Sequence, residues 1–322
     1  MGAVGRVDRL RRLTCVEPRF LSCFSSGILL SAAVLDRSGP ILYFLLLGGP
    51  PTESRNSPAS VRPAELQARE PRPAAEQPRL GVAFLAYNEE ALIAKTVEEA
   101  VSALSAVPGL EWRVLVVNDG SRDRTGQIAD EIARKDPRVL VVHHDGNKGY
   151  AVATETALRN TPGEIVMVVD GDGQHTMADA PVFLEAIDSG ADVVFGWKKQ
   201  RHDPLPRLVL SKGLNLLSRW ILGSPLHDIN GGCRAFRRDV ARRIEIKHRI
   251  NFVGDEIFAR CRIAGWRVAE VAVRHFPREA GQSIHRPWKM AGTIARVIRY
   301  LFNLREEIRR SDALRRVMAG TR

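Results

Sequence analysis

No two of the four cysteines, Cys15, Cys23, Cys233 and Cys261, stand in a Cys-x-x-Cys pair. Without that spacing there is no sequence case for a zinc ribbon or a redox dithiol, and the four read as free thiols in a reducing compartment. Long apolar runs are also missing. Residues 27–35 and 41–49 are apolar but short, and Asp36-Arg37-Ser38-Gly39-Pro40 separates them. Neither reaches the roughly 20 residues of a spanning helix. A basic start followed by an apolar stretch has the order of a secretory leader, but no clean small-residue cleavage site follows. No Gly-x-Gly-x-x-Gly opens the first helix and no P-loop pattern occurs, which disfavours a dinucleotide-binding Rossmann enzyme and a P-loop enzyme. Acidic residues are the scarcer charge: 37 Asp/Glu against 48 Lys/Arg leave +11 and a pI near 10. Such a balance favours anionic partners such as nucleotides or phospholipid heads. Nucleic acid is not the expected one, because the basic residues cluster at one terminus without an aromatic platform.

What is present is an ordinary globular composition, 44% hydrophobic and 26% charged, enough for a sizeable core. The stretch from Pro50 to Pro78, both included, holds seven prolines among many Ala, Glu and Arg. This composition reads as a linker. Residues 1–79 are therefore expected to be an unstructured extension, or an artefact of the assigned start, rather than an anchor. From Leu80 the texture changes. Short apolar strands at 81–85, 112–117, 139–143, 165–169 and 192–195 alternate with helices ending near Val107 and at 125–135, 150–160 and 178–189. Asn88 is placed to cap the first helix, and Ser121 or Asp123 the second. The alternation predicts an α/β fold, a mostly parallel sheet with helices on both faces. Its site is expected in the loops after the strands.

The loop after the central strand is the most informative. Ile165–Val169 breaks into Asp170-Gly171-Asp172-Gly173-Gln174-His175. Two carboxylates one residue apart, at the carboxyl end of a buried strand, suit a hard divalent cation that also holds phosphates. Asp and Gly equally make plain turns, and by themselves these residues leave turn and metal site level.

Five motifs in order tip that balance: Ala86-Tyr87-Asn88-Glu89 after the first strand, Asn118-Asp119-Gly120-Ser121 after the second, Gly146-Asn147-Lys148-Gly149-Tyr150, then D-x-D-x-Q, then Asn230-Gly231-Gly232-Cys233-Arg234. From about Leu80 to Leu304 the chain resembles the family-2 glycosyltransferases of GT-A fold, within them the polyprenyl-phosphate group. The resemblance implies roles by position. Ala86, Tyr87 and Glu89 would hold the nucleotide, with Ala86 in place of the usual proline. Asp119 would accept from the base, or else cap the next helix. Lys148 would lie over base and ribose. Asp170, Asp172 and Gln174 would bind Mg²⁺ or Mn²⁺ and the sugar diphosphate.

Further along, Lys198, Arg207 and Ser211 match positions that face an acceptor phosphate, and Lys198 lacks the guanidinium fork of the usual arginine. Asp228 would sit beside the transferred sugar. Arg278 matches a phosphate-binding arginine, although Ile284 replaces the lysine that usually closes its motif. Asp172, Asp228, Arg207 and Arg278 are thus the expected catalytic set. The implied reaction is inverting transfer of mannose or glucose from a nucleotide-diphosphate sugar, GDP-mannose or UDP-glucose, to a polyprenyl phosphate. A glycan hydroxyl acceptor is the alternative, with Asp228 or Asp255 as base, and a silent nucleotide-sugar-binding protein is the alternative of another class.

Residues 288–304 place apolar side chains at Met290, Ile294, Val297, Ile298, Leu301 and Leu304, a helical stripe. From Arg286 to Arg322 ten Lys/Arg face three Asp/Glu. A basic amphipathic helix reads as a membrane-surface element, or as a helix whose stripe packs on the domain. The expectation is the membrane: three segments, 1–79, a catalytic domain at 80–284 and a basic helical tail at 285–322, held peripherally at the cytoplasmic face.

Overall fold

A computed structural model describes residues 77–199, 205–278 and 290–320 of the chain. The expectations for residues 1–76 and for the match at Gln282-Ser283-Ile284 fall outside it. So does the side chain of Arg207.

The expected alternation is observed. In chain order the elements are β1 (Leu80–Ala86), α1 (Ile93–Ser105), β2 (Trp112–Asn118), α2 (Thr125–Lys135), β3 (Val139–His143), α3 (Tyr150–Asn160) and β4 (Ile165–Asp170). A 3-10 turn, Met177–Asp179, then leads into α4 (Ala180–Asp188). The second half holds β5 (Val193–Lys198), α5 (Leu205–Leu222), β6 (Cys233–Arg237), α6 (Arg238–Arg243), α7 (Val253–Ala264), β7 (Val268–Val273) and α8 (Met290–Gly320).

The seven strands form one sheet in the order β3-β2-β1-β4-β6-β5-β7. All neighbours are parallel except β6, which runs antiparallel between β4 and β5. The sequence reading took the Asn230–Arg234 stretch as a motif and gave it no strand. Cys233–Arg237 carries two arginines in five residues, so it lacks the apolar run that marks a central strand.

Period-2 alternation sorts the strands onto two cores. In β1, Leu80, Val82, Phe84 and Ala86 face the layer of α1, α2 and α4, while Ala83 and Leu85 face that of α3, α6, α7 and α8. In β4, Ile165, Met167 and Val169 face the first layer, and Val166 and Val168 the second. Both faces are covered, which is why these strands are apolar throughout. Gly81 permits a close approach: a Cβ there would lie 1.8 Å from the Pro162 carbonyl oxygen.

Two expectations are corrected. Asn88 does not cap α1, whose cap position is Leu92. It adopts a left-handed backbone (φ 56°), and its side-chain oxygen accepts from the Arg122 amide at 2.9 Å. From Val297 onward the stripe on α8 does not face outward to a membrane, and the side chains of Met290 and Ile294 lie outside the described residues. Val297, Tyr300, Leu301, Leu304 and Ile308 are buried in the core with α7 residues such as Ile257 and Phe258, and Glu307 pairs with Arg260 of α7. Burying each large apolar side chain contributes roughly 1.5–3 kcal/mol, so the helix has a strong reason to stay on the domain. Among the described residues, no helix is long and apolar enough to cross a membrane.

Candidate active site

Parallel pairing brings the carboxyl ends of β1, β2, β4 and β5 to one rim. Ala86 is in register with Asn118, and Leu85 with Asp170. Because β6 runs the other way, its amino-terminal approach, residues 228–232, reaches the same rim. The polar residues of both halves of the sequence therefore meet there.

On the β1 side, two loops are sewn together. The Asn88 amide donates to Ser121 Oγ at 3.0 Å, and the Glu89 amide to Thr125 Oγ1 at 2.8 Å. Asp123 accepts from the Thr125 amide at 3.0 Å, but the cap position of α2 is Arg124, whose side chain makes no capping bond, so neither Asp123 nor Ser121 is the cap that was expected. Asp119 is buried and heavily engaged. Its Oδ1 accepts from the Lys148 amide at 2.9 Å and lies 2.7 Å from His144 Nδ1, and its Oδ2 accepts from the Gly149 amide at 2.9 Å. It caps no helix; it fixes the loop that leads into α3. Lys148 turns its ammonium to Asp145 at 2.9 Å. Tyr87 is partly exposed at the rim.

Asp170 ends β4. Its amide donates to the Gly232 carbonyl at 2.9 Å, and its Oδ1 accepts from the Tyr150 hydroxyl at 2.9 Å. Loss of water around it, and then the nearby charge of Asp172, push its carboxyl up to about 6. Lys198 opposes that shift as a neighbouring positive charge. The Gly232 backbone packs directly on this carboxylate: a Cβ there would lie 2.2 Å from Asp170 Oδ2 and 2.9 Å from His175 Nε2. His175 is held neutral, its imidazole pushed down to about 3 by burial and by the charge of Lys198.

Asp172 Oδ1 accepts from the Gln174 amide at 3.2 Å, and its Oδ2 lies 3.9 Å from Arg278 Nη1. Arg278 also reaches both carboxylate oxygens of Glu89, at 2.6 and 2.8 Å. Burial raises the Glu89 carboxyl and Arg278 opposes the rise. Gln174 donates its side-chain nitrogen to the Phe276 carbonyl at 3.1 Å and so pins the strand exit that carries Arg278. Only its carbonyl oxygen remains for a ligand role.

These residues fit a divalent cation. The charge of Asp172 raises the cost of ionising Asp170, which marks a place short of positive charge, and both carboxylates offer the hard oxygens that Mg²⁺ and Mn²⁺ prefer. Among the described residues no cluster of three or more His, Cys, Asp or Glu gathers to hold a metal. Mg²⁺ commonly takes only one or two carboxylates from a protein.

Facing this pair is a second polar group that the sequence reading saw only in part. Asn215 of α5 donates to Asp228 Oδ1 at 3.0 Å, while the buried Asp228 Oδ2 has no partner. Glu270 of β7 accepts from the His227 and Asp228 amides at 2.8 and 2.9 Å and from the His227 ring, and that ring stacks on Trp197 at 4.4 Å. Deeper still, Asn230 donates to Asp255 Oδ2 at 2.8 Å. Burial pushes the Asp255 carboxyl up to about 6. Arg234 is wholly buried between the two groups, bonded to the Ile229 carbonyl and at 3.5 Å from the Tyr150 hydroxyl. Tyr150, Asn215, Arg234 and Glu270 had no role in the sequence reading. A charge between apolar residues, Arg234 between Cys233 and Ala235 and Glu270 between Ala269 and Val271, was the available signal.

Of the remaining expected residues, Lys198 ends β5 on the same rim, and Ala86 gives its carbonyl to the Asp119 amide at 2.9 Å. Ser211 lies partly exposed on α5.

Comparison with known proteins agrees with this geometry. A family model described as Glycosyl transferase family 2 matches residues 82–245. The polyprenol monophosphomannose synthase of Mycolicibacterium smegmatis is 34% identical over 251 residues, covering 73% of this chain and 85% of that protein. The dolichol-phosphate mannosyltransferase of Pyrococcus furiosus is 30% identical over 237 residues, or 70% of this chain and 63% of that one. Among solved structures, glucosyl-3-phosphoglycerate synthase of Mycobacterium tuberculosis, in complex with Mn²⁺, UDP and its product, aligns with a TM-score of 0.54 at 21% identity. The alignment covers 72% of this chain and 80% of that one. That likeness establishes the GT-A-like fold, and the sequence matches establish the rest: the chain is a glycosyltransferase and belongs to glycosyl transferase family 2.

Proposed function

We propose that this enzyme transfers a hexosyl group, mannose or glucose, from a nucleotide-diphosphate sugar to a polyprenyl phosphate. The carrying observation is the paired Asp170 and Asp172 at the end of β4, with Arg278 beside Asp172 and the unpartnered oxygen of Asp228 opposite. The two relatives described above are named for a polyprenol monophosphate and a dolichol phosphate, which supports a lipid phosphate as acceptor.

In this reading Ala86, Tyr87, Glu89, Asp119 and Lys148 form the nucleotide side. Asp170 and Asp172, with the carbonyl oxygen of Gln174, hold Mg²⁺ or Mn²⁺ against the diphosphate. When bound, such an ion offsets the charge that develops on the departing nucleoside diphosphate. Arg278 contributes a second, fixed positive charge at that place, held by Glu89. The free oxygen of Asp228 accepts from a hydroxyl of the bound sugar. Glu270 keeps that carboxylate in position by fixing its backbone. The acceptor phosphate approaches from α5, with Lys198, Arg207 and Ser211 aligning it. Its oxygen bonds to the anomeric carbon as the bond to the diphosphate breaks, with inversion. A phosphate monoester is largely ionised near neutral pH, so no strong base is needed. Asp255, one candidate base for a hydroxyl acceptor, is wholly buried and tied to Asn230, which speaks for the phosphate.

The test is turnover. Purified full chain, given GDP-mannose or UDP-glucose with Mn²⁺ and a detergent-solubilised polyprenyl phosphate, should release nucleoside diphosphate only when lipid is present. Chelation of the metal, or Asp172→Ala in a folded protein, should abolish release. Full activity in Asp172→Ala would sink the assignment.

A further inference from the structure

The ring of His227 is held more firmly than the fold of its loop requires. Glu270 Oε1 accepts the His227 and Asp228 amides, and those two bonds fix the backbone by themselves. Oε2 of the same carboxylate lies 2.7 Å from His227 Nδ1. An ionised carboxylate only accepts, so Nδ1 carries the hydrogen and Nε2 is the atom turned away. Trp197 covers one face of the ring, with the two planes 18° apart and their centroids 4.4 Å apart. An imidazole clamped in this way keeps one working edge. Its side chain is 54% exposed, against 9% for Glu270, and among the described residues Nε2 has no hydrogen-bond partner. That edge opens at the candidate site. Trp197 precedes Lys198 at the carboxyl end of β5. Alternation puts Trp197 on the side of Phe195, which shares a core with Ile221 and Leu222 of α5. The His227 ring therefore lies on the α5 side of the rim, one residue from Asp228 and its unpartnered oxygen.

We infer that His227 Nε2 binds the phosphate of the acceptor, with Glu270 and Trp197 as the residues that position the ring. The inference rests on the lipid-phosphate reading and adds to it a contact from the loop that carries Asp228. A phosphate monoester loses its second proton at a pKa of roughly 6, so near neutral pH it holds one proton or none. In the complex Nε2 and a phosphate oxygen share one proton. Held on oxygen, it is donated to the Nε2 lone pair. Held on nitrogen, it is donated by the imidazolium to the phosphate dianion. The proton count is the same in both forms, and the second is a charge-assisted hydrogen bond, the stronger kind. In that form the acceptor is fully ionised, with an oxygen ready to bond to the anomeric carbon. A prenol without phosphate offers no such charge, so the contact selects the phosphorylated lipid.

The experiment is steady-state kinetics of two variants of the full chain with varied acceptor and varied donor. His227→Asn keeps an N–H for Glu270 and removes the group at Nε2. Its acceptor KM should rise about tenfold or more, the loss of one charge-assisted hydrogen bond, while the donor KM and the donor-induced thermal shift stay at wild-type values. His227→Gln, whose longer amide reaches the place of Nε2, should recover part of that loss. A wild-type acceptor KM in His227→Asn overturns the inference. So does an equal rise in donor KM, because the ring then serves only the fold of the Asp228 loop. A second readout needs no turnover. With isotope-labelled histidine, the ring signals of the wild type are followed by NMR as geranyl phosphate, geraniol or inorganic phosphate is added, and the His227 signal is assigned by its loss in either variant. Nε2 should respond to geranyl phosphate and not to geraniol. No response removes His227 alone, whatever the turnover. A response without turnover on any lipid phosphate removes the proposed reaction and leaves the phosphate contact. An equal response to inorganic phosphate makes the ligand a free phosphate and overturns the lipid assignment.

Discussion

Tyr150, the first residue of α3, donates its hydroxyl to Oδ1 of Asp170 at 2.9 Å, and the same hydroxyl stands 3.5 Å from the buried guanidinium of Arg234. Burial and the charge of Asp170 push the phenol well above its ordinary value, so it is a donor at every working pH. A short chain of contacts thus orients one carboxylate of the candidate metal pair from beneath, leaving its other oxygen for the rim.

Removing that donor should weaken the metal site without unfolding the domain. Tyr150→Phe keeps the ring and loses one hydrogen bond to a charged group, which is worth roughly 1.5–3 kcal/mol. The Mn²⁺ concentration needed for half-maximal donor-induced thermal shift should rise about tenfold or more. An unchanged metal requirement would show that Tyr150 does not orient Asp170.

Gly232 is constrained by space rather than by backbone angle. A methyl group there meets Asp170 Oδ2 at 2.2 Å, a distance no pair of atoms tolerates. Gly232→Ala should displace the carboxylate and abolish metal-dependent donor binding. Overpacking of this kind typically costs about 1–3 kcal/mol, so a modest fall in Tm should accompany it. Normal donor binding in Gly232→Ala would place the metal elsewhere.

Arg278 uses a fork, not a point charge. Its Nη2 lies within 2.8 Å of both oxygens of Glu89 while Nη1 stays 3.9 Å from Asp172. Lysine preserves the charge and cannot reproduce that geometry. Arg278→Lys should raise the donor KM roughly tenfold, the worth of one charge-assisted hydrogen bond. Steady-state kinetics with varied donor is the check, and wild-type KM would remove Arg278 from the diphosphate.

The pH dependence of stability should carry the signature of Asp255. Its folded carboxyl, at about 6, lies above the unfolded 3.8. Between those values the folded chain holds more protons than the unfolded one. Asp255 therefore favours folding below about 3.8, and that contribution is lost as pH rises through 6. Asp255→Asn stays neutral throughout. Against wild type it should gain stability from pH 4 to pH 7, on the order of 2 kcal/mol, measured as a difference in urea unfolding. A flat difference across that range would mean that burial does not perturb this carboxyl.

The parallel half of the fold was legible because β1, β2 and β4 are buried on both faces and each carries a run of at least four consecutive apolar residues. The D-x-D pair was legible too, since its place at a strand end follows from the same run. β6 was not, because Arg234 and Arg237 break its apolar pattern; what makes Arg234 tolerable inside the sheet is a set of partners, of which Tyr150 and Phe195 are far away in sequence and only Ile229 is near. Glu270 was hidden for the same reason: its partners, His227 and Asp228, lie more than 40 positions away. The outward reading of α8 failed because periodicity identifies an apolar face without saying what covers it. Val297, Leu301 and Leu304 are covered by the domain itself.

The placement of β6 between β4 and β5 orders events in time. β3, β2, β1 and β4 pair only with one another until β6 arrives, and β5 pairs only with strands that come after it in the chain. During synthesis the β3-β2-β1-β4 half of the sheet can therefore assemble once residue 170 has emerged. β5 must wait for residues 233–237, which close the gap and deliver Gly232 to Asp170 in the same movement. Hydrogen-exchange labelling during refolding should accordingly protect the amides of β1 and β2 before those of β5 and β6. A chain built in this order lays down the parallel half of the rim first, and completes the candidate site only when β6 and β7 are in place.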